Sequence, residues 1–200
     1  PLLKLLSLDT DTSIDGVTSE IKTVKDEIKL DPNTEIERLG ADGLVSTLKL
    51  DEFPNIKEWF PDSKRSQLNP TMLSGGASQM KPVGRFSFAW NASTLRDKLY
   101  NILSTTIDVN AVKKSKIAGF NPFTNVFICG SICGGTGSGV FLDVANLVRF
   151  VAKQANVVAK IYGLMALASV YDSIAGDLKL KPNCYASLVE LDLSKNNCHI

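Results

Sequence analysis

Two continuous apolar runs of strand length frame the second half of the chain: NVFICGS at Asn125–Ser131 and VVAKIYGLMAL at Val157–Leu167. Runs this short with little polar alternation predict strands, the first of them buried. Between them, SGVFLDVANLVRFVAKQ places Val140, Val144, Leu147, Val148 and Val151 on one stripe and Asp143, Asn146, Arg149 and Lys153 elsewhere, which predicts an amphipathic helix. Upstream, Phe86, Trp90, Leu95, Leu99, Ile102 and Leu103 fall close to helical spacing and predict a long helix from about Val83 to Ile107. NCYASLVELDL, Asn183–Leu193, predicts a last helix, with Pro182 near its start, where proline is tolerated. LLKLLSL, Leu2–Leu8, predicts a buried strand that runs into the acidic DTDT of Asp9–Thr12.

Residues 13–80 follow no single period and are rich in Pro, Asp and Asn. Short elements are expected there around Glu20–Leu30 and Leu39–Leu48, with a short helix at Asn55–Phe60. The chain therefore divides into an irregular region, 13–80, and a regular core, 120–195, within one domain spanning 1–200. Strand, loop, helix, strand, loop, helix is the order of an α/β protein with a mostly parallel sheet flanked by helices. Ligands of such sheets sit at the carboxyl ends of strands. Three loops qualify: Asp9–Thr12, Cys133–Gly139 and Ala168–Asp177.

Composition narrows the function classes. The chain has 200 residues, 44% hydrophobic and 22% charged, with a net charge of +1. That balance supports a globular core and supplies no global field for nucleic acid or an anionic membrane. The KKSK run, Lys113–Lys116, reads most simply as a solvated helix end, with a nucleic-acid contact as the lesser alternative. The longest apolar stretch, Val157–Val170, is broken by Lys160 and is shorter than the roughly 20 residues a membrane span needs. Cys129, Cys133, Cys184 and Cys198 match no zinc spacing, and His199 is the only histidine. Reduced thiols in a cytoplasmic protein are expected, with Cys129 acting as a small hydrophobe in its strand.

The main candidate for chemistry is GGTGSG, Gly134–Gly139, at the junction of a strand and a helix. The first amides of a helix lack internal partners and lie at the positive end of its dipole, so an anion is the natural guest. Glycines let those amides approach phosphate oxygens, and Thr136 and Ser138 can add hydroxyls. No Lys precedes Ser138, so a Walker A loop is not formed. Neither register from Gly135 or Gly137 completes G-x-G-x-x-G. The alternative is a turn that only packs a helix on a sheet. Two adjacent glycines suffice for that, and four in six residues exceed it.

SICGGTGSGVFLDVA, Ser131–Ala145, resembles the phosphate loop of the tubulin and FtsZ superfamily, and more closely that of the bacterial tubulin-like proteins. Three further blocks are similar to that family: LSLDTDT, SGGASQMKPVGRFSF ending in its GR pair, and NCYASLVELD. Cys133 stands where tubulins and FtsZ carry a further glycine. The resemblance spans residues 2–192 and implies a tubulin/FtsZ-like, Rossmann-like domain that binds GTP or GDP. It implies that Gly134, Gly135, Thr136, Gly137, Ser138 and Gly139 cradle the phosphates. Asp9, Thr10 and Asp11 would meet phosphate and a Mg²⁺ held mainly by nucleotide and water, with no dedicated protein metal site. Gly75, Gly76 and Ala77 would belong to a loop, Ser74–Ala77, that senses the γ-phosphate. The loop around Ser169–Asp177 would approach the ribose, and Asn183 would meet sugar or base.

Each residue has a plainer alternative. Asp9 and Asp11 can cap a strand end, Gly75 and Gly76 can form a turn, Asn183 can cap a helix, and Tyr171 and Tyr185 can pack rather than stack on a base. The family's first glycine loop is expected upstream of LLKLLSL, and its guanine-reading central helix and water-activating acidic loop after Ile200. The chain is thus expected to be a partial domain whose full-length form polymerises and hydrolyses GTP. The competing expectations are a non-hydrolysing scaffold, or an unrelated α/β enzyme whose loop converged on anion binding.

Overall fold

The computed structural model describes residues 3–10, 20–22, 27–31, 33–40, 57–60, 76–77, 79–106, 123–171 and 180–196. Strands β1 (Ser7–Asp9), β2 (Glu20–Lys22), β3 (Glu27–Lys29) and β4 (Ile36–Arg38) precede helix α1 (Lys81–Thr106). Strand β5 (Thr124–Ser131), helix α2 (Gly135–Gln154), strand β6 (Ala159–Ala166), a 3₁₀ turn (Ala168–Tyr171) and helix α3 (Leu180–Asn196) complete the order.

Pairing β5 to β6 in parallel requires a crossover, and α2 is that crossover. The register runs from Thr124 opposite Ala159 to Ser131 opposite Ala166. The end of α2 shows why the chain turns back so sharply. Asn156 adopts φ 56°, a left-handed conformation that asparagine tolerates better than most residues. The Asn156 amide donates to Lys153 O and the Val157 amide to Ala152 O, at 3.2 and 2.8 Å. These bonds close the last carbonyls of the helix as a Schellman motif and deliver Val157 straight into the core.

That core lies between α1, α2 and the inner face of the β5–β6 pair. Phe88, Leu95, Leu99 and Leu103 of α1 are buried together with Val140, Val144, Val148 and Val151 of α2. Val126, Ile128, Ala159 and Ile161 close it from the strands. Both helix stripes advance mainly by four residues, so each keeps one row of side chains toward the other.

Several expectations change. The apolar run at Leu2–Leu8 is not one strand: among its described residues and Asp9, only Ser7–Asp9 pairs, in parallel with Ile36–Arg38, and Leu3 is exposed. Backbone pairing, not hydrophobicity, limits it. Glu20–Leu30 holds the two antiparallel strands β2 and β3, with Ile21 opposite Ile28. Two of the three described pairs are parallel, and each forms a separate two-stranded unit. The β5–β6 pair is buried on one face only; Phe127 and Tyr162 stack at 5.1 Å on the other and stay exposed. Cys129 shares that outer face and is exposed rather than part of the core. Helices α1 and α3 lie where the periodicity places them, α3 being longer at both ends. The KKSK run, residues 41–56 and the rest of the Asp9–Thr12 and Ala168–Asp177 loops fall outside the described residues. No described helix is long and apolar enough to cross a membrane.

Candidate functional site

Thr10, at the carboxyl end of β1, is almost completely buried. Its hydroxyl accepts the Ala77 N–H at 3.0 Å and shares a hydrogen bond of 2.5 Å with the Thr136 hydroxyl. One small side chain thus joins three loops that the sequence separates widely: the end of β1, the segment before α1, and the first turn of α2. Asp9 lies beside it, half-buried, with its carbonyl accepting the Leu39 N–H at 2.7 Å. Asp11 and Gly75 lie outside the described residues. Gly76 is buried with φ 85°, a conformation open to glycine, and Ala77 is buried next to it.

The glycines of the central loop divide by function. A Cβ on Gly135 would sit 2.7 Å from Ala77 Cβ and 2.8 Å from Met80 N. On Gly137 it would collide with the Ser131 carbonyl. On Gly139 it would lie 2.5 Å from Lys81 O and 2.7 Å from Arg85 N. Gly84 of α1 returns the contact: its Cβ would strike the Gly135 carbonyl. Three of the four loop glycines are therefore required by close backbone packing, more than the two that a packed turn was expected to need. Gly134 differs, because a Cβ there would meet nothing within 4 Å.

Gly134 is also the N-cap of α2, in extended conformation, and no side chain caps it. The helix begins at Gly135, inside the glycine loop rather than after it. Its first amides have no intrahelical acceptor, so a half-buried, uncapped helix start lies beside open space. The residues present fit the phosphate end of a nucleotide in this respect: bare amides, a dipole of the right sign and no Cβ at the entrance.

The hydroxyls are used differently from expectation. Thr136 pairs with Thr10, and Ser138 is fully buried, donating back to the Gly134 carbonyl. Such back-bonding by a serine satisfies its hydroxyl within the helix.

Residues without a predicted role surround the loop. Lys81 donates to the Ser138 carbonyl and, at 3.2 Å, to the Ser187 hydroxyl, and it pairs with Glu190 at 2.8 Å. Arg85 pairs with Asp143 at 2.9 Å and lies over the Trp59 ring, 4.7 Å from its centre. The GR pair and the FLD of the glycine block were legible as motifs. Their meaning here is mutual: Gly84 lets α1 approach α2, and Arg85 ties it to Asp143. Asn183 lies inside α3 rather than at its cap, and its amide donates to Gln79 O at 2.8 Å and Cys133 O at 3.0 Å. Tyr171 is half-buried against the Ile132–Phe141 cluster, and Tyr185 is exposed.

Cys133, in the same cluster, is completely buried. Burial pushes its thiol above the ordinary 9.0; the hydrogen bond with Ser131 opposes this, and the Cys184 thiol beside it adds to the rise. Among the described residues, no group of three or more His, Cys, Asp or Glu side chains could hold a metal ion.

A parallel strand pair crossed over by a helix, with a glycine-rich turn at the uncapped helix start and two other loops fastened to it, defines the class as α/β. The tubulin-like family model matches residues 2–199, and the chain belongs to that family. No curated protein and no solved structure matches it.

Proposed function

We propose that this chain is the nucleotide-binding part of a tubulin-like protein, of the bacterial type, with GTP or GDP as its ligand. The observation that carries the proposal is the junction of Thr10, Ala77 and Thr136 beside the uncapped start of α2. Family membership supports it independently. The phosphates would lie against the free first amides of α2, Gly134–Gly137, with Gly134 at the open side and Ser138 and Gly139 packing the turn behind them. Asp9 and Asp11 would approach the same tail, where a carboxylate could orient a nucleotide-held Mg²⁺ through water, while the buried Thr10 would hold the loops together through Ala77 and Thr136. Gly75 and Gly76 would meet the terminal phosphate, with Ala77 anchoring their loop through its N–H bond to Thr10. Lys81 and Arg85 are engaged in ion pairs, so amide dipoles rather than these two cations would supply most of the attraction.

Phosphoryl transfer to water is largely positioning and charge stabilisation. In the full-length protein, self-association into filaments would bring a second copy to the nucleotide and supply the groups that activate water. The free thiols of Cys129, Cys133 and Cys184 suit a cytoplasmic protein. Titration calorimetry of the full-length protein with GTP tests the proposal, and absence of binding would overturn it. Saturable binding without phosphate release at polymerising concentrations would favour a scaffold over a GTPase.

A further inference from the structure

Asn183 donates to two backbone carbonyls at once, Gln79 O at 2.8 Å and Cys133 O at 3.0 Å. Two carbonyl acceptors can be met only by an NH₂ group, so the chemistry fixes which end of the carboxamide points inward. One carbonyl belongs to the segment before α1, the other to the residue preceding the Gly134 N-cap. Both segments flank the proposed phosphate cradle. Gln79 adopts φ 59°, an uncommon conformation for a non-glycine residue, which persists only where its surroundings hold it.

The grip continues along one face of α3. Ser187, one turn beyond Asn183, donates to Ile132 O at 3.4 Å and accepts from Lys81 at 3.2 Å. Glu190, on the same face, holds the Lys81 ammonium at 2.8 Å, and that ammonium also binds the Ser138 carbonyl. Positions 183, 187 and 190 thus fasten α3 to both sides of the glycine turn through polar contacts.

The geometry points to Asn183 as a positioning residue that holds the Gln79 and Cys133 carbonyls in register, rather than as a group that reads the base. This rests on the proposed role of Gly134–Gly137 as the phosphate cradle. A residue that sets the cradle's shape acts on every ligand with the same phosphate tail; a base reader acts only on ligands with the base.

The test compares Asn183→Asp, which keeps the shape and loses the donors, and Asn183→Ala in the full-length protein. Calorimetry would follow GTP, ITP and inorganic triphosphate. All three affinities should fall by a common factor, about tenfold for the loss of two hydrogen bonds. Loss confined to GTP and ITP, or to GTP alone, would overturn the proposal, as would unchanged affinity for all three. Hydrogen exchange of the ligand-free protein gives a readout independent of nucleotide. Faster exchange confined to residues 79–81 and 132–137 is expected in both variants; no change, or an equal rise across β5 and β6, would overturn the strut. A wild-type protein that binds none of the three ligands would defeat the nucleotide proposal and leave the exchange result to decide the role of Asn183.

Discussion

Thr10 and Thr136 share a hydroxyl–hydroxyl hydrogen bond of 2.5 Å across 126 positions of sequence. The Thr10 oxygen also accepts the buried Ala77 amide, so the two threonines are unequal partners. Thr10→Val removes both bonds and leaves the Ala77 N–H without its acceptor. A buried unsatisfied donor costs about 1–3 kcal/mol. Thr136→Val removes one bond and leaves the Ala77 amide satisfied, for a loss of about 1 kcal/mol. Urea unfolding of both variants measures the order. Equal losses, or a larger one for Thr136→Val, would mean that the Ala77 bond contributes nothing.

The glycines separate by the same logic. Gly137→Ala drives a Cβ into the Ser131 carbonyl at the end of β5, and the backbone has to move. Destabilisation of about 2–4 kcal/mol is expected, the upper range for overpacking between rigid backbones. Gly134→Ala meets open space at φ −77°, so its cost should stay within the roughly 1 kcal/mol of placing alanine at an N-cap, well below that of Gly137→Ala. GTP affinity should nonetheless fall, because the methyl group stands at the entrance to the amides. A Gly134→Ala protein that binds as well as wild type would move the ligand away from the N-cap.

Thiol accessibility offers a check on the placement of β5. Cys129 is exposed on the outer face of the strand, whereas Cys133 and Cys184 are buried. Iodoacetamide at pH 8 should label Cys129 in the folded protein and reach Cys133 only on unfolding, because its thiol is both covered and held above 9.0 by burial. Peptide mapping by mass spectrometry reads each site separately. Rapid labelling of Cys133 in the native state would place the glycine turn at the surface.

Asp31 gives a pH signature. Its carboxylate accepts the Asn33 N–H and the Thr34 hydroxyl, both at 2.9 Å. The Asn33 amide first, then Thr34 and more weakly Lys98, hold its pKa below the ordinary 3.8. A depressed folded value means a contribution to stability that is present above 3.8 and lost as pH falls through the folded pKa. Carboxyl ¹³C shifts should show Asp31 titrating below 3.8, and Thr34→Val should raise its midpoint. A wild-type midpoint at or above 3.8 would remove the turn as a cause.

Local pattern carried much of the fold. The valine stripe of α2, the spacing of α1 and the apolar runs of β5 and β6 reflect periods that neighbouring residues impose on one another, and each element lies where its period places it. The Leu2–Leu8 run misled because apolar character shows that a segment is suited to burial, while strand length depends on a partner; only Ser7–Asp9 has one among the described residues. Cys129 misled for a related reason: an apolar run predicts a buried strand, and among the described residues only one face of β5 is covered.

At the site, the sequence by itself determined the ingredients: a glycine run at a strand–helix junction, a GR pair, an acidic strand end and an asparagine opening the last predicted helix. Tertiary structure decided what each ingredient does. Gly135, Gly137 and Gly139 are bare because the Ala77 segment, Ser131 and α1 press on them, contacts made by residues up to about sixty positions away. Thr10 becomes a joint and Asn183 a strut only when distant carbonyls and amides arrive within 3.0 Å of them. Periodicity is written by covalent neighbours and survives in the sequence; hydrogen bonds between loops depend on how the packed helices and strands bring those loops together, and only the folded chain contains them.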